Sequence, residues 1–114
     1  MPYIKIETSE TLDGPSAGDL LKKTSAFISA LLGKPEQYIM VSISQAMPMM
    51  LGADVKPAAY VELKSIGLQQ DRCADLSKDI CAFLERELSV PPDRVYIEFT
   101  ALNGKMFGWN SRTF

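Results

Sequence analysis

The stretch PYIKIET, residues 2–8, recurs in altered form as AYVELKS, residues 59–65, at an offset of 57, half the length of the 114-residue chain. Tyrosine matches tyrosine between the two stretches, and apolar residues match apolar residues at alternate positions. At the same offset KPEQYIMV, residues 34–41, falls on PPDRVYIE, residues 91–98. Chance similarity between amphipathic elements is the alternative explanation. The pattern predicts a single domain over residues 1–114, with an internal pseudo-repeat of 1–57 and 58–114.

Each half has the pattern of a strand, a helix and a second strand. In the first half, alternation predicts a strand over 2–8, and a 3.6-residue period predicts a helix that ends before Gly33. Ser16 with Asp19 resembles a capping box at the start of that helix. A second strand is predicted over 38–45.

The second half repeats this order. A strand is predicted over 58–66, a helix over 70–88 and a strand over 95–101. Asn103-Gly104 predicts a tight hairpin that leads into a short strand over 106–109.

Two β-α-β units with right-handed crossovers place both helices on the same face of a four-stranded sheet. The predicted fold class is therefore α+β, a two-layer sandwich with short C-terminal strands. Alternation places polar side chains on the opposite face: Lys5, Glu7, Ser42, Ser44, Glu62, Lys64, Glu98 and Thr100, with tyrosines at 3, 38, 60 and 96. Because such a sheet leaves its edges exposed, we expect oligomerisation to pair them.

Composition argues against several function classes. The formal charge is −2 and basic residues are scattered, so a nucleic-acid partner is not expected. No apolar run approaches a membrane span, and the N-terminus lacks signal-peptide regions, so we expect a cytoplasmic protein without a membrane partner. Export by a leaderless route stays open. The chain has no histidine and no Cys-x-x-Cys, so neither a metal site nor a thiol redox site is expected.

Pro2 directly follows the initiator methionine. Proline is tolerated at the first position of a strand, which is a purely structural explanation. The chemical explanation is that Met1 is trimmed before a small residue, which leaves Pro2 with a free secondary amine. Such an amine acts as a base or as a nucleophile when its surroundings lower its pKa.

Short motifs in a fixed order make the chain resemble the macrophage migration inhibitory factor family of the tautomerase superfamily. These motifs are MP at 1–2, GKPEQY at 33–38, SIG at 65–67, PDRVYI at 92–97, GWN at 108–110 and TF at 113–114. The resemblance implies a homotrimeric tautomerase fold, active sites at subunit interfaces and an N-terminal proline as catalytic base. It implies neither a metal nor an organic cofactor.

The resemblance also implies roles for individual residues. Pro2 is the expected catalytic residue. Lys34 and the backbone amide of Ile66, with Ser65 beside it, are expected to hold substrate oxygens. Tyr96 from a neighbouring subunit is expected to form an aromatic wall with Tyr38 and Trp109. Phe107 and Phe114 are expected to close the apolar rim.

Three departures from the family pattern affect these expectations. The stretch PAAYV at 57–61 lacks the Cys-x-x-Cys of well-known members, so thiol-disulfide activity is not expected. Glu98 replaces an asparagine of many animal members, and it would either repel anionic substrates or raise the pKa of Pro2 if it faces the pocket. The methionine-rich loop at 46–51 would form an adaptable rim or fill a subunit interface.

The leading functional hypothesis is an isomerase that catalyses keto-enol tautomerisation of phenylpyruvate-like 2-oxo acids, with dopachrome-type isomerisation as a related activity. The alternative is a cytokine-like interaction protein with residual activity, for which the sequence identifies no receptor. A third hypothesis makes Pro2 a nucleophile that forms an imine, and the sequence does not separate it from the base role.

Overall fold

The computed structural model describes residues 1–114 as a four-stranded mixed sheet with two α-helices packed on one face. The elements in chain order are β1 (Tyr3–Thr8), α1 (Gly14–Leu32), β2 (Met40–Ser44), β3 (Ala59–Ile66), α2 (Cys73–Leu88), β4 (Val95–Leu102), β5 (Gly108–Trp109) and β6 (Arg112–Thr113). The sheet order is β2-β1-β3-β4. The pairs β1–β2 and β3–β4 are parallel, and β1–β3 is antiparallel. The predicted α+β fold of two β-α-β units is confirmed.

The core lies between the helices and one face of the sheet. Ile4 and Ile6 on β1 are buried there, and so are Val61 and Leu63 on β3. The side chains at the alternate positions of these strands point to the other face and are only half-buried. No second layer of the chain covers that face. We call this uncovered surface the open face. Neither α1 nor α2 has the length and apolar character that crossing a membrane would require.

The start of α1 differs from the predicted capping box. The helix begins at Gly14, and the side chain of Asp13 accepts a hydrogen bond of 2.8 Å from the backbone N–H of Ser16. Hydrogen bonding to Ser16 lowers the pKa of the Asp13 carboxyl, because it favours the ionised carboxylate. Asp13 is therefore the N-cap, and Ser16 lies inside the first turn. The predicted end is confirmed, since Gly33 adopts the left-handed conformation that terminates a helix.

Two other predicted boundaries shift because short 3₁₀ turns precede the regular elements. Residues Glu36–Tyr38 form such a turn, so β2 begins at Met40 instead of residue 38. Residues Gln70–Arg72 form another, and α2 begins only at Cys73.

The predicted hairpin at Asn103-Gly104 is wrong. Residues Gly104–Met106 form a 3₁₀ turn, and the side chain of Asn103 accepts a hydrogen bond of 3.0 Å from the backbone N–H of Lys105. The hairpin turn lies later, at Asn110 and Ser111, which both have positive φ and connect β5 to β6. Asparagine in both places is compatible with a turn, so only the fold distinguishes a capping asparagine from a hairpin asparagine.

Truncation of Leu84 tests the core. Leu84 is fully buried on α2, and Leu84→Ala should lower the free energy of unfolding by about 2–5 kcal/mol through lost burial and cavity formation. The measurement is equilibrium unfolding in urea. Leu21→Ala on α1 is the matched control, because Leu21 is 39% exposed and its truncation should cost far less. Equal losses in the two variants would contradict this position of the core.

Candidate active site

A cavity of about 620 Å³ opens at the start of β1, within the size range of small-molecule sites. Five of its lining residues were predicted as site or rim residues: Pro2, Tyr38, Phe107, Trp109 and Phe114. The structure therefore brings together the N-terminal proline and most of the expected aromatic residues.

The sheet holds Pro2 firmly at the cavity. The Pro2 side chain is buried, and its carbonyl accepts a hydrogen bond of 3.1 Å from the backbone N–H of Met40. Strand pairing begins only at the next residue, Tyr3, so the sheet needs no hydrogen-bond donor at the proline nitrogen. This position leaves the proline nitrogen free of any role in the ladder.

Four aromatic rings form one wall of the cavity. The Phe114 ring stacks on Trp109 at 5.4 Å and on Phe107 at 5.7 Å between ring centroids. Tyr38 meets Trp109 edge to face at 5.4 Å. The backbone N–H of Phe114 also donates to the carbonyl of Phe107 at 3.2 Å. This wall is a preformed apolar surface that suits a planar ring.

The electrostatic environment at the chain start disfavours a positive charge. Burial, and secondly the positive charge of Lys34, lower the pKa of the Met1 amine. Lys34 is half-buried, and its backbone is fixed by the Ser29 hydroxyl, which donates to the Lys34 carbonyl at 2.6 Å. Both effects oppose protonation of an amine at this end of the sheet.

The structure does not bring the side chains of Ser65 and Ile66 into the cavity. Ser65 faces the helices and is only 2% exposed, with its hydroxyl directed at the Ile66 carbonyl at 3.4 Å. Ile66 is the last residue of β3, and its side chain is not among those that line the cavity. Neither residue lines the cavity within one chain.

Tyr96 and Glu98 also lie away from this cavity within one chain. Tyr96 is 63% exposed and borders a separate hollow of about 150 Å³ beside Met49 and Met50. The Glu98 carboxylate accepts a hydrogen bond of 2.8 Å from the Tyr60 hydroxyl, and this bond is the main cause of the raised pKa of Tyr60. Glu98 therefore has a partner on the open face of its own chain.

Sequence reasoning missed several residues that line the cavity, among them Tyr3, Gln37, Met40, Lys64 and Leu102. Alternation had placed Tyr3 and Lys64 on the open face. The additional signal is the strand register, which sets Lys64 directly opposite Tyr3 and so beside the proline.

A duplicated β-α-β fold with Pro2 in an aromatic cavity is characteristic of the tautomerase superfamily. The model of the macrophage migration inhibitory factor family matches residues 1–114, so the chain belongs to this family. The resemblance drawn from the motifs is thereby confirmed.

Relatives and solved structures agree over nearly the full length. A macrophage migration inhibitory factor homolog from Trichinella spiralis is 38% identical, with 100% of both chains covered. A homolog from Brugia malayi is 32% identical over 100% of this chain and 99% of its own. The crystal structure of a homologue from Prochlorococcus marinus has a TM-score of 0.90 and 37% identity, and 98% of each chain is covered.

Removal of the Phe114 ring should weaken binding of aromatic acids. Phe114→Ala deletes the ring that stacks on both Phe107 and Trp109, so the dissociation constant of phenylacetate should rise about 2–10-fold. Trp109 is the only tryptophan, so its fluorescence reports binding. Met106→Ala is the control, because Met106 is exposed and does not line the cavity. Unchanged affinity in Phe114→Ala would contradict the proposed ring-binding wall.

Proposed function

We propose that this protein is a cofactor-independent keto-enol tautomerase of phenylpyruvate-like 2-oxo acids, with Pro2 as the catalytic base. The observation that carries the proposal is the position of Pro2 in an aromatic cavity, at the chain start where burial and Lys34 lower the pKa of the neighbouring Met1 amine. An amine that is neutral near physiological pH can accept a proton.

The chemistry needs one proton moved between carbon and oxygen. In the ketonisation direction, the enol gives up its hydroxyl proton and its α-carbon gains one, and Pro2 shuttles the proton through its protonated form. Met1 itself lines the cavity, so its removal frees both the Pro2 nitrogen and space for substrate. Lys34 is the proposed partner of the substrate carboxylate, because an ammonium-carboxylate hydrogen bond is charge-assisted.

The proposal includes assembly into a homotrimer with Tyr96 completing the cavity of a neighbouring subunit. Tyr96, Met50 and Val55 are large apolar side chains that the single chain leaves exposed. The open face of the sheet is also uncovered in one chain. A cyclic assembly would bury these surfaces, and its head-to-tail contacts would bring Tyr96 of each subunit to another subunit's Pro2.

The pH dependence of Pro2 chemistry is the first test. On protein whose mass shows loss of Met1, kcat/KM for phenylpyruvate tautomerisation should rise with pH through the pKa of the Pro2 amine, since only the neutral amine accepts a proton. That pKa should lie below the ordinary value for a proline amine, so activity persists to lower pH. Pro2→Ala should reduce kcat/KM by about 10²-fold or more.

Two controls make this test specific. Protein that retains Met1 has an amide at Pro2 and should be inactive, because an amide nitrogen is not a base. Pro15→Ala changes an exposed proline in the first turn of α1, away from the cavity, and should leave the profile unchanged. Full turnover by trimmed Pro2→Ala would refute the base role.

Mixed assemblies test the role of Tyr96. Tyr96→Ala should lower kcat/KM several-fold through loss of ring contacts. When Pro2→Ala and Tyr96→Ala chains are unfolded and refolded together in equal amounts, about one quarter of the sites should combine an intact Pro2 with an intact Tyr96 from another chain. Activity at low substrate concentration should therefore exceed the average of the separate variants. Activity equal to that average would show that Tyr96 does not act across an interface.

A further inference from the structure

Lys64 is the only lysine that lines the cavity; Lys34, whose charge acts on the Met1 amine, is not among the lining residues. It lies on the open face of β3, in register with Tyr3 on β1 and with Thr100 on β4. Its side chain lines the cavity together with Pro2 and the aromatic wall. Lys34, by contrast, follows the C-terminal end of α1.

Lys64 has no acidic partner within the chain. The four ion pairs of the structure involve Lys5, Lys23, Lys56 and Arg86 as cations, and none involves Lys64. The acidic residues of the open face either have another partner or lie one cross-strand row away from Lys64. Glu7 pairs with Lys5 at 3.8 Å, Glu98 accepts from Tyr60, and Glu62 is in register with Lys5.

This arrangement favours an anionic ligand. Lys64 is half-buried beside an apolar cavity, and its ammonium has no counter-ion within the chain. A carboxylate that enters the cavity would supply the missing partner through a charge-assisted hydrogen bond.

We infer that Lys64 is a second anion-binding residue of the cavity, and that the protein takes aromatic 2-oxo acids that carry a second anionic group. Lys34 serves one carboxylate, the aromatic wall holds the ring, and Lys64 serves the second anion. The substrate class rests on the proposed tautomerase function. The anion-binding role of Lys64 does not, because it concerns binding alone.

Binding of unreactive acids tests this role without turnover. The probes are phenylacetate, with one carboxylate, and 1,4-phenylenediacetate, with two, and the readout is Trp109 fluorescence. The wild-type protein should bind the dianion about tenfold or more tightly than the monoanion, because one extra charge-assisted contact forms. This preference should shrink as salt is raised, since ions screen the attraction.

Charge variants assign the preference to Lys64. Lys64→Gln should reduce the preference for the dianion to about twofold or less, while Lys64→Arg should retain it. Lys5→Gln is the matched control, because it removes a positive charge from the same face at a position that does not line the cavity. Absence of a preference in the wild type, or its full retention in Lys64→Gln, would overturn the inference.

Turnover separates this inference from the proposed function. With 4-carboxyphenylpyruvate, Lys64→Gln should lower kcat/KM about tenfold, mainly through KM, while the value for phenylpyruvate should stay within about twofold. A wild-type protein that binds the dianion through Lys64 but turns over neither substrate would refute the tautomerase and leave the anion site in place. Turnover of both substrates with equal losses in Lys64→Gln would refute the second-anion role of Lys64 and leave the tautomerase in place.

Discussion

The antiparallel pairing of β1 with β3 is the interaction on which the rest of the fold depends. In this register Lys5 lies opposite Glu62, and these residues occupy the same position in the two repeats. The pseudo-twofold axis therefore passes between them, so Ile4 pairs with Leu63 as Ile6 pairs with Val61. A shift of one residue would turn the isoleucines to the open face and lysine into the core. Burial of the apolar set therefore specifies the register strongly.

The same pairing creates the core and the cavity. Phe27 of α1 and Phe83 of α2, which match in the repeat after a slip of one, stack at 4.3 Å between ring centroids where the helices meet. Strand β1 lies between β2 and β3, so its first residues are enclosed from both sides. Pro2 is consequently held by strands that also carry the hydrophobic core. The nitrogen proposed as the catalytic base therefore has a rigid position at little additional cost in ordering.

The cavity is built from segments in which the two repeats differ. The 3₁₀ turn of the first half supplies Gln37 and Tyr38 to the cavity. The equivalent 3₁₀ turn of the second half, Pro92–Arg94, ends in Arg94. The guanidinium of Arg94 donates to four backbone carbonyls between Leu51 and Pro57 at 2.7–3.2 Å. Only the second half continues into the β5–β6 hairpin, which brings Trp109 and Phe114 back over Tyr38. The same local structure thus lines the cavity in one half and secures a loop in the other.

The sequence by itself determined the repeat, the order of the elements, the two-layer fold and the family, because alternation, helical periodicity and ordered motifs are local properties of the chain. It also singled out Pro2, Lys34, Tyr38 and Trp109. Only the tertiary structure decided the N-cap at Asp13, the hairpin at Asn110 and the place of Lys64 in the cavity. Residue type alone allows more than one capping residue and more than one turn asparagine, so the packed fold selects between them. Lys64 reaches the cavity because the sheet register, which is set by burial over the whole core, places it opposite Tyr3.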